Sequence, residues 1–84
     1  MKIIEEIEQE MATASATYGP FTSSHEALGV ITEEFWELVE AVRSNSFLSV
    51  EQEAIQLAAA CIRLAEQSGE IRGSFTDFGK RSGF

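Results

Sequence analysis

The fold is decided by two stretches, residues 24–43 (SHEALGVITEEFWELVEAVR) and residues 50–67 (VEQEAIQLAAACIRLAEQ). In both, apolar residues recur every three or four positions, which is the period of an amphipathic helix with one buried face. The apolar stripe of the first stretch comprises Ala27, Ile31, Phe35, Leu38 and Val42, and that of the second comprises Val50, Leu57, Ala60, Cys61 and Leu64. The sequence therefore predicts an all-α fold built on two long helices.

Serine-containing segments indicate where these two helices begin and where the first one ends. Ser23 is followed three residues later by Glu26, and Ser49 is followed by Gln52. This spacing is typical of a capping box at a helix N-terminus. Residues 44–46 (Ser-Asn-Ser) break the pattern between the two stretches. We therefore expect two capped helices joined by a short turn.

A shorter amphipathic helix is predicted ahead of them, over residues 3–16, ending before Pro20. The last long helix is predicted to stop near Gly69, because glycine is common just past a helix C-terminus. The predicted organisation is a helical domain of residues 1–69 followed by an extended or mobile tail of residues 70–84.

Acidic residues fall on the buried faces of both long helices. A step of about 100° per residue places Glu34 inside the apolar arc of the first helix and Glu53 inside that of the second. Glu37 and Gln56 follow three residues later, at the edge of each arc, so each helix carries a pair of oxygen ligands on one face. A carboxylate on a core face is costly unless it is paired or metal-bound. These positions therefore predict a site for a hard cation such as Mg²⁺.

The chain is short for a stable monomer. A domain of 84 residues buries only about 60% of the surface of its unfolded chain, and its single cysteine excludes an internal disulfide. Trp36 on one long helix, and Ile55 and Ile62 on the other, extend apolar surface outside the main stripes. Helices that are apolar on two sides are buried on two sides. We expect a homo-oligomer with a four-helix-bundle-type core, either a dimer or a tetramer.

The net charge of the chain is −8, from 14 acidic and 6 basic residues. Such a surface repels nucleic-acid backbone and anionic lipid, so neither a nucleic acid nor a membrane is an expected partner. Glu33 and Glu40 point away from the apolar arc and are expected to be solvated. An apolar secretion signal and a run of transmembrane length are both missing from the sequence. Together with the single free thiol, this predicts a cytoplasmic protein.

The order of the acidic motifs resembles that of a known family. Glu34-Phe-Trp-Glu37 followed by Glu53-Ala-Ile-Gln56, with the flanking residues from about 18 to 67, is similar to the E-x-x-E…E-x-x-D pattern of the MazG-like all-α nucleoside triphosphate pyrophosphohydrolases. The resemblance implies a helical oligomer that binds Mg²⁺, with Mn²⁺ as an alternative ion. It also implies an enzyme that splits a nucleoside triphosphate into the monophosphate and pyrophosphate, as in house-cleaning of the nucleotide pool.

The resemblance further implies roles for individual residues. Glu34, Glu37 and Glu53 match acids of the family pattern and would hold the metal and serve in catalysis. Gln56 stands where the family has aspartate. An amide oxygen coordinates Mg²⁺ without adding charge, so weaker metal binding is expected. Arg63 would contact a substrate phosphate or hold Gln56 in place.

Other residues admit more than one role. His25, the only histidine, would help to position a phosphate or base at a helix N-terminus, or would lie exposed beside the cap. Trp36 is predicted to point away from the acids, which favours packing against another subunit over stacking on a base. Tyr18 and Phe21 are alternative contacts for a base. The basic and aromatic tail would close over a nucleotide as a lid or pack against a partner.

Two other functions are compatible with the same motifs. The first is a non-catalytic helical oligomer that keeps the scaffold and acts as a nucleotide-binding or interaction module, which the amide at Gln56 favours. The second is a di-iron carboxylate bundle, which is less favoured because such sites use Glu-x-x-His pairs and neither motif contains histidine.

Overall fold

The computed structural model describes residues 1–74, with side chains described as far as Gly69. It contains three helices, α1 (Lys2–Tyr18), α2 (Ser24–Arg43) and α3 (Phe47–Ser74), and residues 1–74 contain no strand. This confirms the predicted all-α class. The central helix is α3, because α1 and α2 each pack against it. No helix in the described part of the chain has both the length and the hydropathy needed to cross a bilayer.

The connection between α1 and α2 follows the sequence prediction. Gly19 ends α1 with a positive φ of 73°, a left-handed conformation that glycine adopts without steric cost. Ser23 caps α2, since its hydroxyl oxygen accepts a hydrogen bond from the Glu26 backbone N–H at 3.0 Å. The Glu26 carboxylate accepts from the backbone N–H of Thr22 at 2.7 Å rather than from that of Ser23. The predicted cap is confirmed, with its return contact displaced by one residue.

The predicted start of α3 is wrong by three residues. Helix α3 begins at Phe47, and Ser46 rather than Ser49 provides its cap. The Ser49 backbone N–H donates to Ser46 Oγ at 3.4 Å, and the Val50 N–H donates to the Ser46 carbonyl oxygen at 2.9 Å. Asn45 takes a positive φ of 58°, which reverses the chain earlier than the serine pattern indicates. The turn between the two long helices is correspondingly short.

Helix α3 also continues past its predicted end. It runs to Ser74, five residues beyond Gly69. Glycine inside a helix costs about 1 kcal/mol relative to alanine, which a helix of this length tolerates. Residues 70–74 of the predicted tail are therefore helical, and residues 75–84 lie outside the described residues.

Small side chains set the distance between the helices. Among residues 1–69, the buried apolar residues are Phe21, Ala27, Ala41, Ile55, Ala59 and Ala60. Ala27, Glu34 and Ala41 are spaced seven residues apart and therefore share the face of α2 that meets α3. Because alanine projects only a methyl group, the two backbones can approach closely along this face. Glu34, between the two alanines, is thereby brought against α3.

Two predictions about burial are wrong. Phe35 and Val42, which belong to the predicted core stripe, are 52% and 54% exposed, because the alanine face of α2 is turned towards α3 instead. Conversely, Ile55, for which the sequence predicts cover from another subunit, is buried within the chain. It lies beside Glu6 and Gln9, so α1 supplies that cover.

Candidate metal centre

Three carboxylates from α2 and α3 meet where the two helices pack. Glu34, Glu37 and Glu53 each offer one carboxylate oxygen, and these three oxygens lie within 4.8 Å of one another. Glu34 and Glu53 are half-buried, whereas Glu37 is exposed. Three negative oxygens at this separation fit a site for a divalent cation with oxygen ligands. The structure therefore brings together the three acids selected from the sequence.

The side-chain amide of Gln56 joins this cluster. In the orientation that satisfies hydrogen bonding, its Nε2 lies 3.1 Å from Glu53 Oε1 and 3.1 Å from Glu34 Oε2 and donates to both. The amide carries donors on one side and an acceptor on the other. Rotation by half a turn would present its oxygen at the same place. Gln56 can therefore stabilise the carboxylates without a cation and, when turned, offer a fourth oxygen ligand.

The carboxylates are difficult to ionise together. The pKa of Glu34 is raised from 4.5 to about 7, first because the group is buried and next because of the negative charges of Glu37 and Glu53. The pKa of Glu53 is also raised, by burial and by the charge of Glu37. Both shifts are expected of carboxylates gathered without a counter-ion. A bound cation would reverse this effect by favouring the ionised forms.

These shifts predict an unusual pH dependence of stability. Between pH 4.5 and about 7, the native state holds a proton on Glu34 that the unfolded state has lost. The free energy of unfolding of the metal-free protein should therefore fall as the pH rises through this window. The expected contribution is about 1–2 kcal/mol once solvent screening is included.

Urea denaturation at pH 5 and pH 8 with a chelator present measures this slope. Replacing Glu34 by glutamine should flatten it relative to the parent, because the amide does not titrate. Glu51→Gln, at an exposed position of α3, is the control and should leave the slope unchanged. Identical slopes in the parent and in Glu34→Gln would contradict the prediction.

A fourth acid near the cluster was not predicted from the sequence. Glu10 of α1 is half-buried and lines a cavity together with Glu34 and Gln56. Its negative charge also contributes to the raised pKa of Glu34. The only indication in the sequence is that Glu10 stands four residues before Ala14 and so shares with it the half-buried side of α1. Nothing in the sequence places α1 beside Glu34.

The cavity between the three helices has a volume of about 480 Å³, which falls in the range of small-molecule sites. Glu34 and Gln56 line it, as do Tyr18 and Arg63. Its other lining residues are Glu10, Ala14, Val30, Glu33, Ala59 and Ala60. One acid of the cluster, Glu34, and a guanidinium group thus border one cavity, whereas Glu37 and Glu53 line a separate shallow groove.

Arg63 is held by the loop between α1 and α2. Its guanidinium donates to the Gly19 carbonyl oxygen at 2.7 Å and lies 4.5 Å from the centre of the Phe21 ring, in a cation–π arrangement. One turn further on, Gln67 accepts from the Phe21 N–H at 3.0 Å and donates to the Phe21 carbonyl oxygen at 2.6 Å. Arg63 therefore anchors this loop at the cavity wall, a role that the sequence did not indicate.

The other predicted residues lie further from the cluster. His25 is exposed in the first turn of α2, nine residues before Glu34 and hence roughly 13 Å away along the helix axis. It lies outside the cavity described above. Glu40 is exposed and forms an ion pair with Arg43 at 3.8 Å, which confirms that it is solvated.

Trp36 lies closer to the acids than its helical position suggested. Its indole is 60% exposed and lines a shallow groove that also contains Glu37 and Glu53. The ring packs edge-to-face against Phe35, with centroids 6.4 Å apart. The prediction that Trp36 points away from the acids is therefore wrong. Its predicted packing against another subunit stays a prediction.

Comparison with known proteins does not place the chain in a family. No family model, no curated protein and no solved structure matches it. Fold and site define an all-helical protein with a carboxylate cluster where two antiparallel helices pack. The resemblance to the MazG-like enzymes rests on Glu34, Glu37, Glu53 and their spacing.

Proposed function

We propose that the chain is a Mg²⁺-dependent nucleoside triphosphate pyrophosphohydrolase of the MazG-like type, acting in house-cleaning of the cytoplasmic nucleotide pool. The observation that carries the proposal is the meeting of Glu34, Glu37 and Glu53 within 4.8 Å, where Glu34 also lines a cavity large enough for a small ligand. The proposed reaction releases pyrophosphate and a nucleoside monophosphate.

In this proposal Glu34, Glu37 and Glu53 hold the ion, and the Gln56 amide turns to add its oxygen. A Mg²⁺ or Mn²⁺ ion held there would supply positive charge for the phosphates and Lewis acidity for the attacking water. Water attacks phosphorus, the bond to the pyrophosphate oxygen breaks, and a carboxylate oxygen of the cluster not engaged with the ion takes the proton. Arg63, at the cavity wall, supplies a positive charge for the phosphates.

We also propose that the working form is a homo-oligomer, a dimer or tetramer with a four-helix-bundle-type core. Only six apolar side chains are buried among the described residues, four of them alanines. Burial of methyl groups gives little hydrophobic stabilisation. A second copy would supply the missing burial.

Pyrophosphate release from a panel of ribo- and deoxyribonucleoside triphosphates tests the activity. We expect release with Mg²⁺ or Mn²⁺ and none with a chelator. The two product halves should appear in equal amounts, which distinguishes pyrophosphohydrolysis from stepwise loss of phosphate. If no triphosphate in the panel is hydrolysed with either ion, the enzymatic proposal fails.

The alternative is a non-catalytic module built on the same scaffold, and the two hydrogen bonds from Gln56 to Glu34 and Glu53 favour it. Gln56→Asp distinguishes the two. In an enzyme, the added carboxylate should tighten Mg²⁺ binding and preserve or raise hydrolysis, because a stronger negative field favours the cation. In a module built around the amide, it should only lower the melting temperature.

Gln52→Asp is the matched control. Gln52 is exposed one turn earlier on α3, so its replacement by aspartate adds the same charge outside the cluster. Metal affinity and melting temperature should stay near those of the parent.

A further inference from the structure

An apolar face of the α2–α3 hairpin lies open to solvent. On α2, Leu28, Phe35 and Val42 are each more than half exposed, at 60%, 52% and 54%. They stand seven residues apart and lie about 80–120° around α2 from Glu34. The half-buried residues beside them are Ile31 and Leu38 on α2 and Val50, Leu57 and Leu64 on α3, with the exposed Cys61 between the last two. We call this set the open face.

The open face lies on the opposite side of the hairpin from α1. Helix α1 packs on α3 near Ile55 and Ala59. These two residues are about 120° and 160° around α3 from Cys61. The cavity beside Glu34 is also lined by α1. The described residues of the chain therefore provide no helix to cover the open face.

The distribution of charge indicates which kind of partner covers the open face. Although the chain carries a net charge of −8, its described charged residues on α2 and α3 fall outside the arc of the open face, except that Glu53 lies at the edge of this arc, with its carboxylate turned towards Glu34 and Glu37. A partner selected by charge would find no ionic contact on this face. Two acidic copies, in contrast, can approach through it without opposing carboxylates.

The spacing of the apolar residues and the area of the open face also fit a second copy of the chain as the partner. Leu28 and Val42 lie symmetrically on either side of Phe35, so two α2 helices packed antiparallel would match their apolar residues about a two-fold axis. The exposed surface of these three residues is roughly 300 Å² per copy, comparable to the largest apolar patch of a typical monomer, which is often functional. With the flanking half-buried residues, a symmetric pair would approach the roughly 1,000 Å² that a specific interface needs.

We infer that the open face is the self-association surface of this protein, with α2 and α3 of two copies packed face to face about a two-fold axis near Phe35. The inference rests on the oligomer proposed above, but on neither the metal nor hydrolysis. It also implies that α1 and the acid cluster stay on the outer side of each copy.

Sedimentation of the full chain at several concentrations, without metal or nucleotide, tests this inference. The parent should be dimeric or a multiple of a dimer at micromolar concentration, and Phe35→Glu should weaken association at least 100-fold. Ile4→Glu is the matched control, because Ile4 is 49% exposed on α1, away from the open face. It should associate as the parent does.

Modification of the native Cys61 thiol gives a second measurement, which holds even if Phe35→Glu proves unstable. Labelling of the parent should slow at least tenfold as the concentration rises through the association range. A monomeric parent would overturn the inference. An oligomeric parent with unchanged Cys61 labelling, or with equal effects of Phe35→Glu and Ile4→Glu, would place the contact elsewhere and overturn it too. Neither result would bear on pyrophosphate release.

Discussion

Replacing Glu53 by alanine is expected to lower Mg²⁺-dependent pyrophosphate release roughly 100-fold or more, the scale seen when one charge-stabilising group is removed from an active site. Glu53 is the acid that α3 contributes to the cluster, so its loss leaves both remaining carboxylates on α2. Glu34→Ala should have an equally large effect. Both variants should keep their helical content, because each removes repulsion from the cluster.

The melting temperature gives a second test of the same ligand set and needs no substrate. Metal that binds only the native state raises its stability by mass action, so saturating Mg²⁺ should raise the melting temperature of the parent by several degrees. Glu53→Ala should abolish this rise. Glu51→Ala, at an exposed position two residues earlier, should keep both the rise and the activity. A metal-induced rise that survives in Glu53→Ala would contradict the proposed ligand set.

The second large effect concerns packing between α2 and α3. Ala27 is fully buried, with no exposed surface, on the face of α2 that meets α3. Leucine at this position would overpack the contact and cost roughly 1–3 kcal/mol, which in a domain of this size lowers the melting temperature by about 5–15 °C. The wider helix separation should also move Glu34 away from Glu53, so metal affinity should fall with stability.

Ala12→Leu provides the control for this substitution. Ala12 is exposed on α1, and alanine and leucine have similar helix propensities. A difference between the two variants therefore reports packing alone. Equal melting temperatures would show that the α2–α3 contact does not depend on a small side chain at Ala27.

Local rules predicted the helices well and their ends less well. The cap at Ser23 follows from its spacing to Glu26, and the structure confirms the hydrogen bond from the Glu26 N–H to the Ser23 hydroxyl oxygen. The cap at Ser49 failed although it satisfied the same rule, since Ser46 lies three residues earlier and the left-handed Asn45 selects it. Ser46 is followed three residues later by Ser49 and not by Glu or Gln, so the conformation of the turn overrides the local pattern.

Periodicity predicts which acids come together but not everything around them. Glu34 and Glu53 were singled out because each falls on the apolar arc of its helix, and the structure brings their carboxylates together. Glu10 was missed because its importance depends on where α1 packs. Phe35 was misplaced because several faces of α2 are apolar, and periodicity alone does not rank them.

The sequence by itself determined that this chain forms helices, where α1 and α2 stop, and that two helices carry carboxylates towards their contact. These properties depend on residues within one or two turns of each other. The tertiary structure alone decided that α1 covers Ile55, that Gln56 bridges Glu34 and Glu53, and that Arg63 anchors the loop at Gly19. Those outcomes depend on how each helix is rotated about its axis, and that rotation is set by alanine contacts and hydrogen bonds between residues more than forty positions apart.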